Sequence, residues 1–447
     1  LMNLFLLLLL ISVFVRYVIP VWIGNIFFIS LLLYFTFSRN ENQIILFCFF
    51  LFLFAEPGYL FSSIGEFRLP AITLNVFGRE IFFNEIFTII LVFKGLFSKD
   101  KQAVYYKLVV SILIFFSLIL LLQGLVWGLT IVSFLKTLRF QIPLWLLLVI
   151  PNVIKSKDIF RLINLLFISS ILFFSCQLID ILTGQPIASF LGEKQFLFSG
   201  VEYSADDRIF QVDSGPVRSF YGPFTILLSL IISSSLLIYP HKNFSKNYLR
   251  VIILITSLSI FLSATRGWIV ALAVILLSLV IVQGKYLYRY VLFFLLSIVL
   301  ITAIPKLEKQ VTSTFNRVLT LGSLIKGDYT AEGTLTRLTE RGPRVMKKFW
   351  EQPIIGFGFS DEYYKYADGH VGNQTLLLNG GIVGYFLYLC FVLFVMYKIS
   401  SRWLINKRKY LIPFVSGLFG IIIIHSSSTM IFSYAFNTIV ASFLSLF

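Results

Sequence analysis

The sequence predicts an all-α, polytopic integral membrane protein with about 12–14 transmembrane helices. Three observations lead there. Of the 447 residues, 58% are hydrophobic and only 13% are charged. Mean hydropathy is +0.90, and a soluble domain has too little interior to bury that much apolar surface. Apolar runs of about 15–24 residues recur along nearly the whole chain, each fitting a helix that crosses a bilayer. The runs are continuous and do not alternate, which argues against strands.

The expected spans are 2–15, 17–37, 43–61, 81–97, 108–128, 131–150, 160–182, 220–239, 250–265, 267–283, 288–304, 374–397, 411–428 and 430–446. Residues 1–15 have no basic flank and no clear small-residue cleavage site, so they read as a retained span. No internal repeat or long linker divides the chain, so residues 1–447 form a single transmembrane domain. Cys48, Cys176 and Cys390 all fall inside spans. They are expected to be small buried residues, with neither disulfide nor metal-ligand spacing.

The net charge of +16 is explained by topology. Segments 38–43, 98–107, 155–161, 241–250, 285–289 and 398–409, with Lys94, hold 18 Lys/Arg and three acids. The intervening loops, 56–80, 183–220 and 305–372, hold 15 Lys/Arg and 16 acids. By the positive-inside rule the first set is cytoplasmic and the second external. Both termini then come out cytoplasmic. The charge carries no argument for nucleic acid.

Of the external loops, 183–220 and 305–372 are the longest. A loop as long as 305–372 is usually functional or disordered, and its aromatic content argues against disorder. Within it, Leu335 to Trp350 reads as helical, with Gly342-Pro343 as a bend or break. Arg337, Arg341, Arg344 and Lys348 are spaced 4, 3 and 4, which is one helical face. Pro353-Ile-Ile-Gly356-Phe-Gly358 is a turn signal. The loop ends on Asp368-Gly-His370-Val-Gly-Asn373.

Further cations gather on the same side. Lys136 and Arg139 lie in the outer half of span 131–150, three apart and so on one face. Charges inside a span are costly and mark candidate sites. Arg266, in Ser263-Ala-Thr-Arg266-Gly-Trp268, sits between two spans that meet almost without a loop. Arg218 precedes a span entering from outside, at a similar depth. A guanidinium binds phosphate through paired hydrogen bonds and stays protonated, so a partly desolvated cluster suits a diphosphate and the charge it develops on leaving. Of the three histidines, His370 is the best placed to take a proton from an attacking hydroxyl. Asp368 is a candidate to orient it, His425 ranks second, and His241 falls on the cytoplasmic side. No phosphate-binding glycine loop, HExxH or Cys-x-x-Cys motif occurs, so no cofactor is expected and catalysis would rest on arginines and a base.

Three segments resemble the O-antigen ligase and polymerase superfamily of bacterial membrane glycosyltransferases. Ser263-Ala-Thr-Arg266-Gly-Trp is similar to its Ser-x-Ser/Thr-Arg-Gly helix start. Thr336-Arg337 through Trp350 to Gly358 resembles its arginine, tryptophan-containing helix and Pro-x-x-Gly-x-Gly turn. His370 to Gly384 resembles its His-Asn, Leu-rich, Gly-x-x-Gly ending, although His370 and Asn373 are separated where the family has the pair adjacent. Arg218 to Leu230 is a weaker fourth match. The resemblance covers about residues 215–395.

It implies a GT-C-type fold in the bacterial inner membrane with a periplasmic active site. It implies a metal-independent, inverting transfer from an undecaprenyl-diphosphate-linked oligosaccharide. By the match Arg266 and Arg337 take the diphosphate, and His370 serves the acceptor or leaving group. Lys136, Arg139 and Arg218 support the lipid diphosphate, and Arg341, Arg344 and Asn373 complete the binding set. The acceptor is a lipid-linked repeat unit in a polymerase, slightly favoured, or lipid A-core in a ligase. Transport of the same lipid-linked glycan is the reading from another class. The lack of repeat symmetry and of paired broken helices argues against it.

Overall fold

A computed structural model describes residues 104–130, 159–183, 222–239, 241–283, 287–325, 337–369, 371–406 and 409–425. It adds short pieces at 74–76, 79–81, 89–93, 133–134, 144–147, 195–198 and 201–204, with Ile26, Ser30, Leu33, Thr36, Phe37 and Phe220. The expected spans at 2–15, 43–61 and 430–446 lie outside these residues, and those at 17–37, 81–97 and 131–150 are described only at a few positions.

Helices dominate the described residues. They are α1 (Val104–Val126), α2 (Ile159–Thr183), α3 (Pro223–Ile238), α4 (Lys246–Leu262), α5 (Arg266–Gln283), α6 (Leu287–Ile301) and α7 (Pro305–Ile325). A π-helical turn at Arg337–Arg341 leads into α8 (Gly342–Phe349), followed by α9 (Asp361–Tyr366), α10 (Gly372–Asn406) and α11 (Ile412–His425). Eight of these match expected spans, seven of them within a few residues at both ends, while α10 runs nine residues past the expected end at 397. Two, Ile163–Thr183 in α2 and Gly372–Phe394 in α10, are long and apolar enough to cross a membrane.

Two short hairpins lie between the apolar runs for which helices were expected. β1 (Leu74–Val76) pairs antiparallel with β2 (Arg79–Ile81), and β3 (Gln195–Phe198) with β4 (Val201–Ser204). Both hairpins fall in or at the edge of the loops 56–80 and 183–220. Strands of three or four residues leave no alternation for a sequence pattern to reveal.

The core centres on α3, whose residues Pro223 to Ser235 are all buried. It starts at Gly222, in the left-handed region at φ 51, with Pro223 in the first turn, where its missing N–H costs nothing. Small hydroxyls let neighbours approach. Ser170 and Ser229 hydroxyls lie 2.6 Å apart between α2 and α3. Gln177 of α2 and Ser259 of α4 exchange two hydrogen bonds, at 3.0 and 2.6 Å. Gly420 lets α11 close on Ala271 of α5, where an added Cβ would lie 2.9 Å from the alanine's own. Small residues and interhelical hydrogen bonds are how apolar helices associate where no hydrophobic drive separates them from lipid.

Helix α7 closes one end of this bundle. Leu307 and Val311 are buried. Gln310 donates to the Leu262 carbonyl at the end of α4 (2.7 Å), and the Lys306 ammonium donates to the Leu182 carbonyl near the end of α2 (2.5 Å). Each satisfies a carbonyl that its own helix leaves open.

Candidate functional site

The segment from Arg337 to Gly384 is held by an exchange of backbone hydrogen bonds. Helix α10 breaks at Gly381, at φ 63 and ψ −165. In an unbroken helix Ile382 N–H would donate to Leu378 and Val383 N–H to Asn379. Here they donate instead to Pro353 (2.9 Å) and Ile354 (3.1 Å). The freed carbonyls of Leu378 and Asn379 accept from the N–H groups of Phe357 (2.9 Å) and Gly358 (2.8 Å). Two helical bonds are thus replaced by four bonds to the turn 353–358.

Side chains complete the joint. Asn379 Nδ2 donates to the Gly358 carbonyl (2.8 Å), and Gln123 Nε2 to that of Gly356 (3.2 Å). Phe359 N–H donates to Leu120 O of α1 (3.0 Å). Gly358, at φ 60, has no room for a side chain: a Cβ would run into Leu120 O and approach Gln123 Cβ at 2.8 Å. Phe357 and Phe359 are fully buried in a second small core with Val345, Phe349, Tyr363 and Leu378. Burying each phenylalanine is worth roughly 1.5–3 kcal/mol.

Asp361 ties this segment to the start of the expected span 131–150. Its carboxylate accepts from Thr130 N–H (3.1 Å), Thr130 Oγ1 (3.0 Å) and Ser133 Oγ. Its N–H donates to Gly128 O (2.8 Å). It supplies the cap for donors that a helix start leaves open.

Of the basic face on α8, three members are described with their side chains, and they divide into two roles. Arg341 and Arg344 reach Asp368 at 3.6 and 3.3 Å. Their side chains are 39% and 54% exposed against 10% for Asp368, so both guanidiniums keep access to solvent. Asp368 is itself fixed: its carbonyl accepts from Thr375 Oγ1 (2.7 Å) and its N–H donates back at 3.2 Å. Lys348 instead turns inward. It bonds Glu351 (2.7 Å) and Glu362 (3.0 Å) and lies over the Phe357 ring at 4.7 Å.

The hydrogen bond to Glu351, with help from Glu362, raises the Lys348 pKa above its ordinary 10.5. The pair's contribution is therefore full below that ordinary value and lost only as pH climbs through the raised one. Lys348→Met is expected to cost about 1–2 kcal/mol. Thermal unfolding from pH 6.5 to 9 should show a constant gap from wild type. A gap that closes within that range would exclude the ion pairs as its source.

The sequence offered Asp368 as an orienting partner for His370, whereas its described ion pairs run to Arg341 and Arg344. His370 lies outside the described residues, as do Lys136, Arg139 and Arg218. Arg337 begins the π-helical turn. Asn373 is half-buried in the first turn of α10. Gly342-Pro343, expected to bend or break a helix, opens α8, with Pro343 in its first turn.

Arg266 belongs to a second assembly. The chain reverses between α4 and α5 over Ser263–Thr265, with Ala264 left-handed at φ 52. Arg266 is then the first residue of α5 and half-buried. Trp268 packs edge-on to Phe220 and Phe224, at 5.3 and 5.2 Å. These rings bring the start of α5 against the start of α3 and against Phe220, two residues beyond Arg218 in the sequence. His425 is buried and tilted against Tyr388, with ring centroids 4.7 Å apart.

Sequence reasoning missed the backbone exchange, the Asp361 cap and α7. The one available signal for the first was the glycine pattern at 356, 358 and 381. Residues 251–389 match the family model described as O-antigen ligase. No curated protein matches the chain.

Proposed function

We propose, from the match of residues 251–389 to the family model described as O-antigen ligase, that the chain is a polytopic bacterial inner-membrane glycosyltransferase. It moves a glycan from an undecaprenyl-diphosphate-linked donor to an acceptor sugar at the periplasmic face. The observation that carries this reading is the extent of the match. It spans both the Arg266 turn and the interlocked segment from Arg337 to Gly384.

The chemistry needs a site for a leaving diphosphate and a base for the acceptor hydroxyl. Arg266 and Arg337 bind the diphosphate. Lys136, Arg139 and Arg218 support it at the membrane face. His370 takes the proton as the new glycosidic bond forms and the bond to the diphosphate breaks with inversion. Asn373, in the first turn of α10, contacts substrate beside it. Arg341 and Arg344 present their solvent-accessible guanidiniums to phosphate oxygens, with Asp368 as their resting counter-charge. No metal takes part, and EDTA is expected to leave the rate unchanged. Loss of activity restored by a divalent ion would overturn that point.

Asp368→Asn removes one negative charge beside two exposed guanidiniums. Inorganic diphosphate is expected to bind a few-fold tighter at low salt, with the gain fading as salt screens it. Unchanged binding in calorimetry would remove Arg341 and Arg344 from the site.

The acceptor in the first reading is a second lipid-linked repeat unit, making the protein a polymerase. The description of the matching family favours a second, ligase reading, with lipid A-core as acceptor. Purified protein with the lipid-linked repeat unit alone should yield a ladder on a gel if it polymerises. Product only after lipid A-core is added identifies a ligase. No product in either case would sink the transferase reading.

A further inference from the structure

The turn 353–358 docks well inside a helix that is long and apolar enough to cross a membrane. Gly381 stands nine residues past Gly372 in the candidate span Gly372–Phe394, roughly 14 Å along a helix rising 1.5 Å per residue. Ile354 O bonds Val383 N–H at that level. The turn therefore lies beside the body of α10, well below its start.

Its side chains suit that depth. Ile354 is 66% exposed, and Ile355 is also exposed. They adjoin exposed Ile382 and Val383, which share a helical face with exposed Phe386. The result is one apolar surface continuous with the flank of α10. Exposed Trp350 precedes the turn in the chain, next to Glu351 of the Lys348–Glu351 ion pair. Tryptophan beside charge is the pattern of a membrane–water boundary.

The backbone suits it too. Irregular backbone survives at hydrocarbon depth only when its polar groups are satisfied by protein. The carbonyls of Pro353, Ile354, Gly356 and Gly358 and the N–H groups of Gly356, Phe357 and Gly358 are all bonded within the protein. These bonds secure the joint with α10; the N–H groups of Ile354 and Ile355 and the Ile355 carbonyl take no part in them.

We propose that the Ile354–Ile355 tip is a re-entrant membrane anchor, packed against lipid acyl chains of the leaflet on the side where α10 begins. Segment 305–372 is then external only in part, and its basic helix α8 is held at headgroup level by its own turn. The inference rests on α10 crossing the bilayer and is independent of the transferase reading.

Site-directed spin labelling tests it on the full chain in phosphatidylcholine vesicles, with Cys48, Cys176 and Cys390 replaced by alanine. Single cysteines go in at Ile354 and, as a second position, Ile355. Phe386→Cys serves as the lipid reference and Lys347→Cys as the aqueous one. Labels at 354 and 355 should be several-fold more accessible to oxygen than to a water-soluble nickel complex, as at 386 and opposite to 347. Nickel accessibility at 354 and 355 matching 347 would overturn the proposal. So would protection from both reagents, which would mean that a second copy or another part of the chain covers the tip. An aqueous signal at 386 would remove its premise, the crossing by α10, without touching the activity assay.

Discussion

His370→Ala is expected to lower glycan transfer by roughly 10²–10⁴-fold, the range that a positioned general base supplies. The protein should still insert and elute as wild type. Arg266→Ala should lose about 10²–10³-fold, as expected when one preorganised donor to a developing charge is removed. Arg266→Lys should recover part of this, because an ammonium keeps the charge but not the paired hydrogen bonds. Initial rates of donor consumption with the lipid-linked repeat unit measure all three. A wild-type rate in His370→Ala would end its role as base, and equal rates for Arg266→Lys and wild type would show that charge alone suffices.

Gly358→Val should unfold the joint between the turn and α10. A β-branched residue at φ 60 costs at least the roughly 1–2 kcal/mol of a left-handed L-residue. Its Cβ also meets Leu120 O and Gln123, backbone and packed side chain that cannot move without pulling α1 from the joint. The combined loss is expected to exceed about 3 kcal/mol. Thermal unfolding in detergent should fall by many degrees, and protease should cut between 350 and 369, where wild type resists. A resistant variant with unchanged midpoint would mean that the turn adapts without its glycine.

The sequence made the helices legible where long apolar runs end in charge, as at the starts of α4 and α5. It also located the Arg266 turn, since two apolar runs separated by Ser263 to Thr265 leave no length for a loop. Helix α8 followed from its 4, 3, 4 basic spacing. Helix α7 did not follow, because its inward face mixes Leu307 and Val311 with Gln310 and Thr314. Hydropathy reads such a face as polar, yet Gln310 is there to bond the end of α4. Two ion pairs of Asp368 were equally hidden. Spacing pointed two residues ahead to His370, which lies outside the described residues, and gave no hint of the pairs that reach back 24 and 27 positions to Arg344 and Arg341. The hydrogen-bond exchange at Gly381 is backbone to backbone, so no side-chain pattern encodes it beyond the glycines themselves.

That exchange also constrains the order in which the protein can be made. Chains are synthesised from the N-terminus, so residues 353–358 emerge before Leu378 to Val383 exist. The turn must wait with its N–H and carbonyl groups in water or on a chaperone. On the proposed crossing, α10 would enter the bilayer with its ladder incomplete at Gly381, where an uncapped gap is costly. On that reading, insertion of α10 and capture of the waiting turn are one event. A nascent chain stalled after 380 should hold the turn open to protease, and one extended past 383 should close it.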